Sequence, residues 1–427
     1  MLAIARSVRD KLRFLLATEW VYIVAAVGVL MAIAPYLLPG GRIIPLVIAV
    51  VGLILTAVMF LRDTGVLIAR WSAWELTKLP EVVTGAGGLT VPHLPVKVAT
   101  GRGTVAISPD IDRALVGCSA NARLSSFRYV LPLELAEVAP YALRFGVTGK
   151  WLFNGPNLGL QTEMVEAELL SGTDITVIKG DYFSFVCSDE LMSMQVRHND
   201  ARLRLREKFL FDSRGGGHVA AIGTTGLNHC IGVSTLAITT DQQVVLTRQA
   251  RRSQASGGLW APSGSGTVEP RDMQAASATE RDRTETPTKF VDLITRAAER
   301  ELCEETQVSP EQIRGTEVVG YGRWIERGAK PEFFCVTTLN IAAGELRLGS
   351  NVHRRFSDER MWTHGVYTHP LATDAASMPF DAPETGGLRQ PLWRQARVLE
   401  QPEDLDDAIS VPLDLALDAW ARRRVNA

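Results

Sequence analysis

Two long stretches without a charged residue lie close together near the N-terminus and constrain the fold most strongly. They cover residues 20–38 and 43–61, each 19 residues long, with four residues between them. As helices that rise about 1.5 Å per residue, each would be about 28 Å long, enough to cross a hydrocarbon core of about 30 Å. We therefore predict a transmembrane helical hairpin with spans 20–38 and 43–61, inside an N-terminal unit of residues 1–80.

Basic residues are distributed unevenly around these spans. Four precede the first span, only Arg42 lies between the spans, and Arg62, Arg70 and Lys78 follow the second. Because Lys and Arg accumulate on the cytoplasmic side, we predict a protein of the cell (inner) membrane with two spans and both termini cytoplasmic. A cleavable signal peptide is disfavoured because a second apolar stretch follows at once.

The membrane unit has further predicted partners. The lipid bilayer is the first, and the hairpin could also assemble the chain into a homo-oligomer. After the second span, apolar and aromatic residues recur at roughly helical spacing between Val66 and Trp74. This pattern fits an amphipathic juxtamembrane helix on the membrane surface, and it fits a plain helical continuation into a linker equally well.

Charge and cysteine usage exclude several classes of protein. The 427-residue chain has 45 Lys and Arg against 47 Asp and Glu, for a formal net charge of −2. No overall basic field is present to attract nucleic acid, so we expect neither DNA nor RNA as a partner. The five cysteines are scattered without a C-x-x-C pair, which argues against a disulfide framework and a zinc site.

Residues 82–215 are predicted to form an α+β domain, to which the sequence assigns no role. Short β-type runs at 175–178 and 182–186 flank a turn signal and predict a hairpin. Segments 133–143 and 163–170 have helical patterns. An aromatic and amide cluster runs from Trp151 to Asn157 and includes Phe153 and Asn154; it faces a ligand, or it belongs to the core and a turn.

An acidic run lies near the end of a predicted helix at 290–308. At about 100° per residue along a helix, Glu301, Glu304 and Glu305 fall within an arc of about 100°. Carboxylates this close repel one another, so a cation should compensate them, and hard divalent ions prefer carboxylate oxygen. Considered alone, the run fits a solvated acidic helix face equally well.

The segments around this helix narrow its interpretation. Two β-rich runs at 231–240 and 244–247 precede a glycine-rich loop at 259–269. Two further strand-like runs follow the helix at 317–324 and 331–338. Together with the R-E-L-C-E-E sequence at 300–305, this order resembles the Nudix family, whose box is G-x5-E-x7-R-E-U-x-E-E-x-G-U with U apolar.

The resemblance covers about residues 228–345. It implies that residues 225–427 form a Nudix-type α/β/α sandwich with a mixed sheet, within a chain that is α+β as a whole. It also implies Mg²⁺ or Mn²⁺ as cofactor, with Glu301, Glu304 and Glu305 as metal ligands. Arg300 and Glu301 would be catalytic, with Arg300 orienting Glu301 through a fork-type contact.

Substrate-binding residues are also implied. The backbone around Gly264 and Gly266 would contact the metal or the substrate. Arg248, Arg251 and Arg252 follow the second β-rich run; from this position they could bind phosphate, or they could be solvated surface arginines. Many Nudix hydrolases also use a further downstream carboxylate, for which Glu332 and Glu359 are candidates that the sequence does not distinguish. His229 is interpreted as a structural residue next to a strand.

The sequence departs from the box in three places. Asp292 stands where the first Glu is expected, and the box glycine is matched only by Gly264 or Gly266. Residues 267–289 would then be an insertion, which we expect to be a flexible surface loop. Gln307 replaces the last glycine, where a positive φ would strain it or the helix would end differently.

Two functions follow from these expectations. The first is a membrane-anchored Nudix-type enzyme, an acid anhydride hydrolase that cleaves a nucleoside diphosphate linked to another group. The second is a nucleotide-sensing membrane effector, similar in layout to antiphage-defence proteins, whose Nudix-like domain binds a nucleotide without hydrolysing it. The complete set of glutamates favours the enzyme, and the altered box positions favour the sensor.

Overall fold

The computed structural model describes residues 6, 8–13, 61, 73–79, 88–145, 153–212, 217–251, 256–274, 288–350, 363–372, 388–400, 405 and 408–425. The two predicted spans, apart from Leu61, and the juxtamembrane segment before Ala73 lie outside these residues. Within the described ranges, none of the helices has the length and apolar character needed to cross a membrane. The hairpin, its orientation and its role in assembly therefore remain predictions.

The strands of the described residues are numbered in chain order. They are β1 Trp74–Lys78, β2 Val96–Thr100, β3 Gly103–Ile107, β4 Ala122–Arg128, β5 Pro156–Leu160, β6 Ile175–Asp181, β7 Met194–His198, β8 Ala201–Leu203, β9 Gly232–Ile238, β10 Gln243–Gln249, β11 Trp260–Ala261, β12 Gly264–Thr267, β13 Ile313–Trp324, β14 Lys330–Leu339, β15 Thr363–Pro370 and β16 Leu388–Arg389. The α-helices are α1 Pro109–Val116, α2 Leu133–Phe145, α3 Glu166–Ser171, α4 Tyr182–Val186, α5 Leu205–Phe209, α6 Phe290–Thr306 and α7 Val411–Val425.

The largest sheet has the order β11-β10-β9-β14-β13-β3-β2-β16, with β12 paired to β9 and β15 to β10. It is mixed, because β14 runs parallel to β9 and antiparallel to β13. These strands confirm the predicted runs at 231–240, 244–247, 317–324 and 331–338. The α+β class with a mixed sheet is likewise confirmed.

Helices cover this sheet on both faces. Alternate residues of β14 belong to different cores: Phe333 and Cys335 pack in the core that includes α6, and Phe334 and Val336 pack in the core that includes α7. Since successive strand residues point to opposite faces, α6 and α7 lie on opposite sides of the sheet. This is the layering expected of an α/β/α sandwich.

The middle segment contributes to the same sheet. Strands β2 and β3 continue it, with Val105 paired to Trp324 of β13. The sheet thus includes strands from both sides of the expected boundary near 215–225. The division of the chain into three domains remains a prediction.

A separate sheet with the order β4-β6-β5 corrects one prediction for the middle segment. The expected hairpin at 175–186 is wrong, because 175–181 form one continuous strand and 182–186 form helix α4. The Asp181 side chain accepts a hydrogen bond from the Ser184 backbone N–H at 2.8 Å and caps this helix. The helical segments expected at 133–143 and 163–170 are confirmed as α2 and α3.

Helix α6 ends in a left-handed residue. Gln307 has φ 62° and ψ 18°, and its N–H donates to the Cys303 carbonyl at 3.0 Å. A glycine, which the box has at this position, adopts this backbone conformation freely. For a residue with a Cβ, the conformation is less favourable by about 1–2 kcal/mol of free energy. The departure from the box is therefore accommodated by strain at one residue.

We predict that Gln307→Gly raises the free energy of unfolding by up to about 1 kcal/mol, because relief of the Cβ clash exceeds the entropy gained by the unfolded chain. Gln307→Val should lower it by about 1 kcal/mol or more, since a β-branched residue is worse in this conformation. Thermal unfolding of the full chain in detergent measures both. A glycine variant that is less stable than the wild type would contradict the assignment of strain.

Candidate functional site

A cavity of about 370 Å³ lies beside the C-terminal half of α6. Strands β9, β10, β12 and β14 also line it, as do residues from the middle segment. Its acidic lining residues are Glu269, Glu301, Glu304, Glu305 and Glu332. The predicted metal ligands on α6 thus share one cavity.

The sequence of α6 explains why these carboxylates reach the cavity. Phe290, Leu293, Ile294, Ala297 and Ala298 recur at helical spacing, and all are buried against the sheet. Burial of this stripe fixes the rotation of the helix about its axis. The acidic residues of the last two turns are thereby directed to the cavity beside β12.

Two glycines let the β12 backbone approach α6 closely. A Cβ added to Gly266 would lie 2.1 Å from Oε1 of Glu301, and one added to Gly264 would lie 2.4 Å from the backbone nitrogen of Leu302. Gly264 has no room for a side chain, because the clash is with backbone, whereas a side chain at position 266 would displace the Glu301 carboxylate. Both glycines that the sequence singled out therefore sit against the acidic part of the helix, and Gly266 lines the cavity.

Arg300 joins the helix to the glycine-rich strand. Its Nε and Nη2 donate to the two carboxylate oxygens of Asp272 at 2.8 and 3.0 Å. Nη2 also donates to the Thr267 carbonyl at 2.8 Å, and Nη1 donates to Oε1 of Glu301 at 2.8 Å. This planar, bidentate arrangement is specific to arginine. The fork-type contact is therefore made to Asp272, whereas Glu301, for which the sequence predicts it, accepts a single hydrogen bond from Nη1.

Asp272 takes the place that the sequence analysis gave to Asp292. Asp292 is exposed on the first turn of α6, whereas Asp272 is 5% exposed and paired with Arg300. Asp272 also stands six residues after Gly266, the spacing of the box from glycine to acid. The insertion therefore starts after this point, and residues 270–273 form a packed 3-10 turn where a surface loop was expected.

Burial changes the acidity of the glutamates. The pKa of Glu305 lies well above its usual range because the side chain is buried, with a further contribution from the nearby Glu301 charge. Nε2 of Gln249 and Oγ1 of Thr247 lie 3.5 Å from its carboxylate oxygens and oppose this shift. Burial also raises the pKa of Glu301, although Arg300 opposes the shift. Both carboxyl groups would ionise more readily beside a cation.

A divalent ion would need several oxygen ligands that converge on one point. Across the described ranges, no three acidic, histidine or cysteine side chains converge closely enough to hold a metal ion. Glu304 instead pairs with Arg271 at 3.1 Å and with Arg300 at 3.4 Å. Chemically, three carboxylates around one cavity suit Mg²⁺ or Mn²⁺. Glu304 would have to exchange these arginine contacts for the ion, whereas Glu301 would keep its contact with Arg300.

Of the other residues that the sequence singles out for phosphate binding or as a further carboxylate, only some lie at the cavity. Arg248 is not among the residues that line the cavity, whereas the next residue, Gln249, is. The Arg248 guanidinium lies 5.0 Å from the ring centroid of Trp260. Neighbouring strand residues point to opposite faces, so Arg248 points away. Glu332 lines the cavity, whereas Arg252 and Glu359 lie outside the described residues.

His229 is buried, in agreement with its structural interpretation. Its Nε2 lies 2.6 Å from the Thr225 hydroxyl. Burial lowers the pKa of His229 well below its usual range, and the Arg323 charge adds to this effect. The ring is therefore neutral near pH 7.

Sequence analysis missed several residues of the cavity. The cations Arg327 and Lys330 line it, as do Tyr182 and Phe185 from α4. Lys330 is buried and donates to the carboxylate of Glu332. The position of Asp272 could have been found from its spacing after Gly266. No local sequence pattern predicts that α4 lies near β14, because β14 follows α4 by more than a hundred residues.

We predict that Asp272→Ala destabilises the fold by about 3 kcal/mol, because it leaves the buried Arg300 guanidinium without its bidentate partner. Asp292→Ala is the matched control and should cost about 0.5 kcal/mol, the contribution of an exposed carboxylate to a helix N-terminus. Thermal unfolding of both full-length variants measures the difference. Equal losses would contradict the assignment of Asp272 as the acidic partner of Arg300.

Comparison with known proteins gives limited matches. No family model matches the chain, and no curated protein sequence matches it. Among solved structures, DR0079 from Deinococcus radiodurans is 15% identical, with 50% of this chain and 96% of that one covered and a TM-score of 0.23. The Nudix hydrolase RenU from M. smegmatis is 16% identical over 46% of this chain and 84% of its own, with a TM-score of 0.22.

A third structure, the MutT protein from Methanosarcina mazei Go1, is 19% identical over 29% of this chain and 72% of its own, with a TM-score of 0.18. Over part of its length the chain is structurally similar to solved proteins that include a Nudix hydrolase.

Proposed function

We propose that the protein is a membrane-anchored Nudix-type hydrolase that cleaves a nucleoside diphosphate linked to another group. The observation that carries this proposal is the shared cavity of Glu301, Glu304 and Glu305, with the Gly266 backbone directly against Glu301. The Arg300 contact to Glu301 supports it further. A binding protein without turnover has no evident need for all of these groups together.

The cofactor in this proposal is Mg²⁺ or Mn²⁺. Glu304 and Glu305 would hold it, with Glu301 as a third ligand or as the base. When bound, the ion would offset phosphate charge and lower the pKa of a coordinated water. Glu304 is 38% exposed at its side chain and its partner Arg271 is 56% exposed, so this ion pair is solvated and can open at little cost.

The chain's own residues would carry the reaction as follows. Arg300 holds the Glu301 carboxylate in place, and Glu301 accepts a proton from the attacking water. The water oxygen forms a bond to one phosphorus, the bridging P–O bond breaks, and the leaving phosphate keeps the electron pair. Lys330, at the cavity wall beside Glu332, offsets negative charge on the phosphates.

One observation favours the alternative function, a nucleotide sensor. Glu304 is engaged by two arginines at once, and one of them, Arg271, belongs to the turn before the insertion. If these pairs persisted with ligand bound, the carboxylate would not reach a metal ion. The cavity would then bind a nucleotide without cleaving it, and the predicted membrane hairpin would transmit the signal.

We predict that Glu304→Gln and Glu305→Gln each lower turnover by about 100-fold or more, because each replacement removes one negative charge from the set that would hold the metal. The assay uses the full chain in detergent with Mg²⁺ and a panel of dinucleotides and nucleotide sugars. Release of mononucleotides is measured by chromatography, and thermal unfolding verifies that both variants are folded.

Glu311→Gln is the control, since Glu311 is exposed just beyond the end of α6; its turnover should match the wild type. Nucleotide binding by the wild type without any turnover would contradict the hydrolase and favour the sensor. Turnover that survives both glutamine variants would contradict the assigned site.

A further inference from the structure

The cavity has a second set of lining residues that comes from outside residues 225–427. Phe153, Gly155 and Pro156 line it just before and at the start of β5, and Tyr182 and Phe185 line it from α4. None of them belongs to the segment that resembles a Nudix domain. The middle segment, to which the sequence assigns no role, therefore forms part of the site.

Backbone contacts hold these aromatic residues together. The Tyr182 N–H donates to the Gly155 carbonyl at 2.9 Å, and the Phe183 N–H donates to Oδ1 of Asn154 at 2.9 Å. The rings of Tyr182 and Phe185 have centroids 5.7 Å apart. Segment 153–156 and α4 thus form one surface, which we call the aromatic wall.

The aromatic wall is fixed relative to the acidic residues. Strand β5, which continues from it, donates from Leu158 N–H to the Val268 carbonyl at 2.8 Å. The carbonyl of the same residue, Leu158, accepts a hydrogen bond from the Ile231 N–H at 2.9 Å. Val268 directly follows β12 and Ile231 directly precedes β9, so the wall is joined by backbone hydrogen bonds to two strands that line the cavity.

Cations lie over two rings of the wall, Phe185 and Phe153. The guanidinium of Arg327 is 5.3 Å from the Phe185 centroid, Lys330 Nζ is 5.9 Å from it, and Arg6 is 5.6 Å from the Phe153 centroid. Aromatic faces with adjacent cations suit a ligand that combines a planar π-system with negative charge. An aliphatic chain would gain nothing from these cations.

Burial separates the roles of the rings. Phe185 is 1% exposed and supports the wall from behind, whereas Tyr182 and Phe153 are only partly buried. Both of these residues line the cavity. A planar ligand group would therefore contact Tyr182 and Phe153 first.

We propose that the aromatic wall binds the nucleobase of a ligand whose diphosphate lies at the glutamates of α6. This inference rests on the proposed function for the position of the diphosphate. It assigns the middle segment the role of selecting a nucleotide over other diphosphates, and it names Tyr182 and Phe153 as the residues that determine this specificity.

The test is equilibrium binding by calorimetry to the full chain in detergent with Mg²⁺. The probes are the α,β-methylene diphosphates of adenosine, guanosine, cytidine and uridine, which resist cleavage, and methylenediphosphonate, which has no ring. The wild type should bind at least one nucleotide probe at least tenfold more tightly than the ring-free probe. Tyr182→Leu and Phe153→Leu should each remove about tenfold of this affinity and change binding of the ring-free probe less than twofold.

Leucine keeps the apolar volume of the side chain and removes its aromatic face, so the loss of packing is limited. Tyr182→Phe keeps the aromatic ring and should therefore retain nucleotide affinity. Phe127→Leu, at a ring that is 76% exposed on β4 and away from the cavity, is the matched control and should change nothing. Leucine variants that weaken both classes of probe equally, or a wild type without preference for a nucleotide, would overturn the inference. Tighter binding of an isoprenyl diphosphate than of any nucleotide probe would also overturn it.

These outcomes separate the inference from the proposed function. Nucleotide probes that bind with the expected ring dependence, in a chain that cleaves nothing, would refute the hydrolase and leave the aromatic wall intact. Cleavage of diphosphates with no dependence on Tyr182 or Phe153 would refute the wall and leave the hydrolase intact.

Discussion

Arg300 donates hydrogen bonds to Asp272, to the Thr267 carbonyl and to Glu301, and so joins strand β12 to helix α6. The guanidinium is largely buried, and its pKa lies above its usual range because the surrounding carboxylates, led by Glu301, outweigh the effect of burial. It therefore remains charged and must keep its partners. The position of Glu301 in the cavity, the close approach of Gly266 and the path of the chain after β12 all depend on this contact. The buried apolar stripe holds α6 against the sheet, and Arg300 adds the polar contact that fixes the end of β12 and the turn at Asp272 to the acidic part of the helix.

The site around this contact combines segments with different chemistry. Helix α6 brings carboxylates, β14 and the turn before it bring Lys330 and Arg327, and the middle segment brings aromatic rings. Carboxylates and a diphosphate repel each other, so a cation between them is needed for binding as much as for catalysis. This arrangement is compatible with both the proposed hydrolase and the alternative sensor. The two functions differ in whether the ion pair between Glu304 and Arg271 breaks when a ligand binds.

The sequence predicted the parts of this structure that have a local periodic pattern. Helix 290–308, its apolar stripe and the strands on either side were readable from spacing alone, and so was the grouping of Glu301, Glu304 and Glu305 on one side of α6. Asp272 was missed because the extra residues lie between it and α6, which separates it from the rest of the box in the sequence. Helix α4 was read as a strand because a run of aromatic and β-branched residues fits both structures, and the Asp181 cap decided between them. The contacts of β3 with β13 and of β5 with Val268 join distant segments, and no local pattern predicts them.

In the proposed function, the glutamates of α6 hold a divalent ion against a diphosphate. Electron paramagnetic resonance of Mn²⁺ titrated into the full chain, with and without a non-hydrolysable nucleoside diphosphate, tests it directly. We predict about one Mn²⁺ bound per chain, with affinity that rises when the nucleotide is present and falls at least tenfold in Glu305→Gln. An Mn²⁺ signal that stays free in solution under both conditions, or binding that the Glu305→Gln chain retains in full, would contradict it.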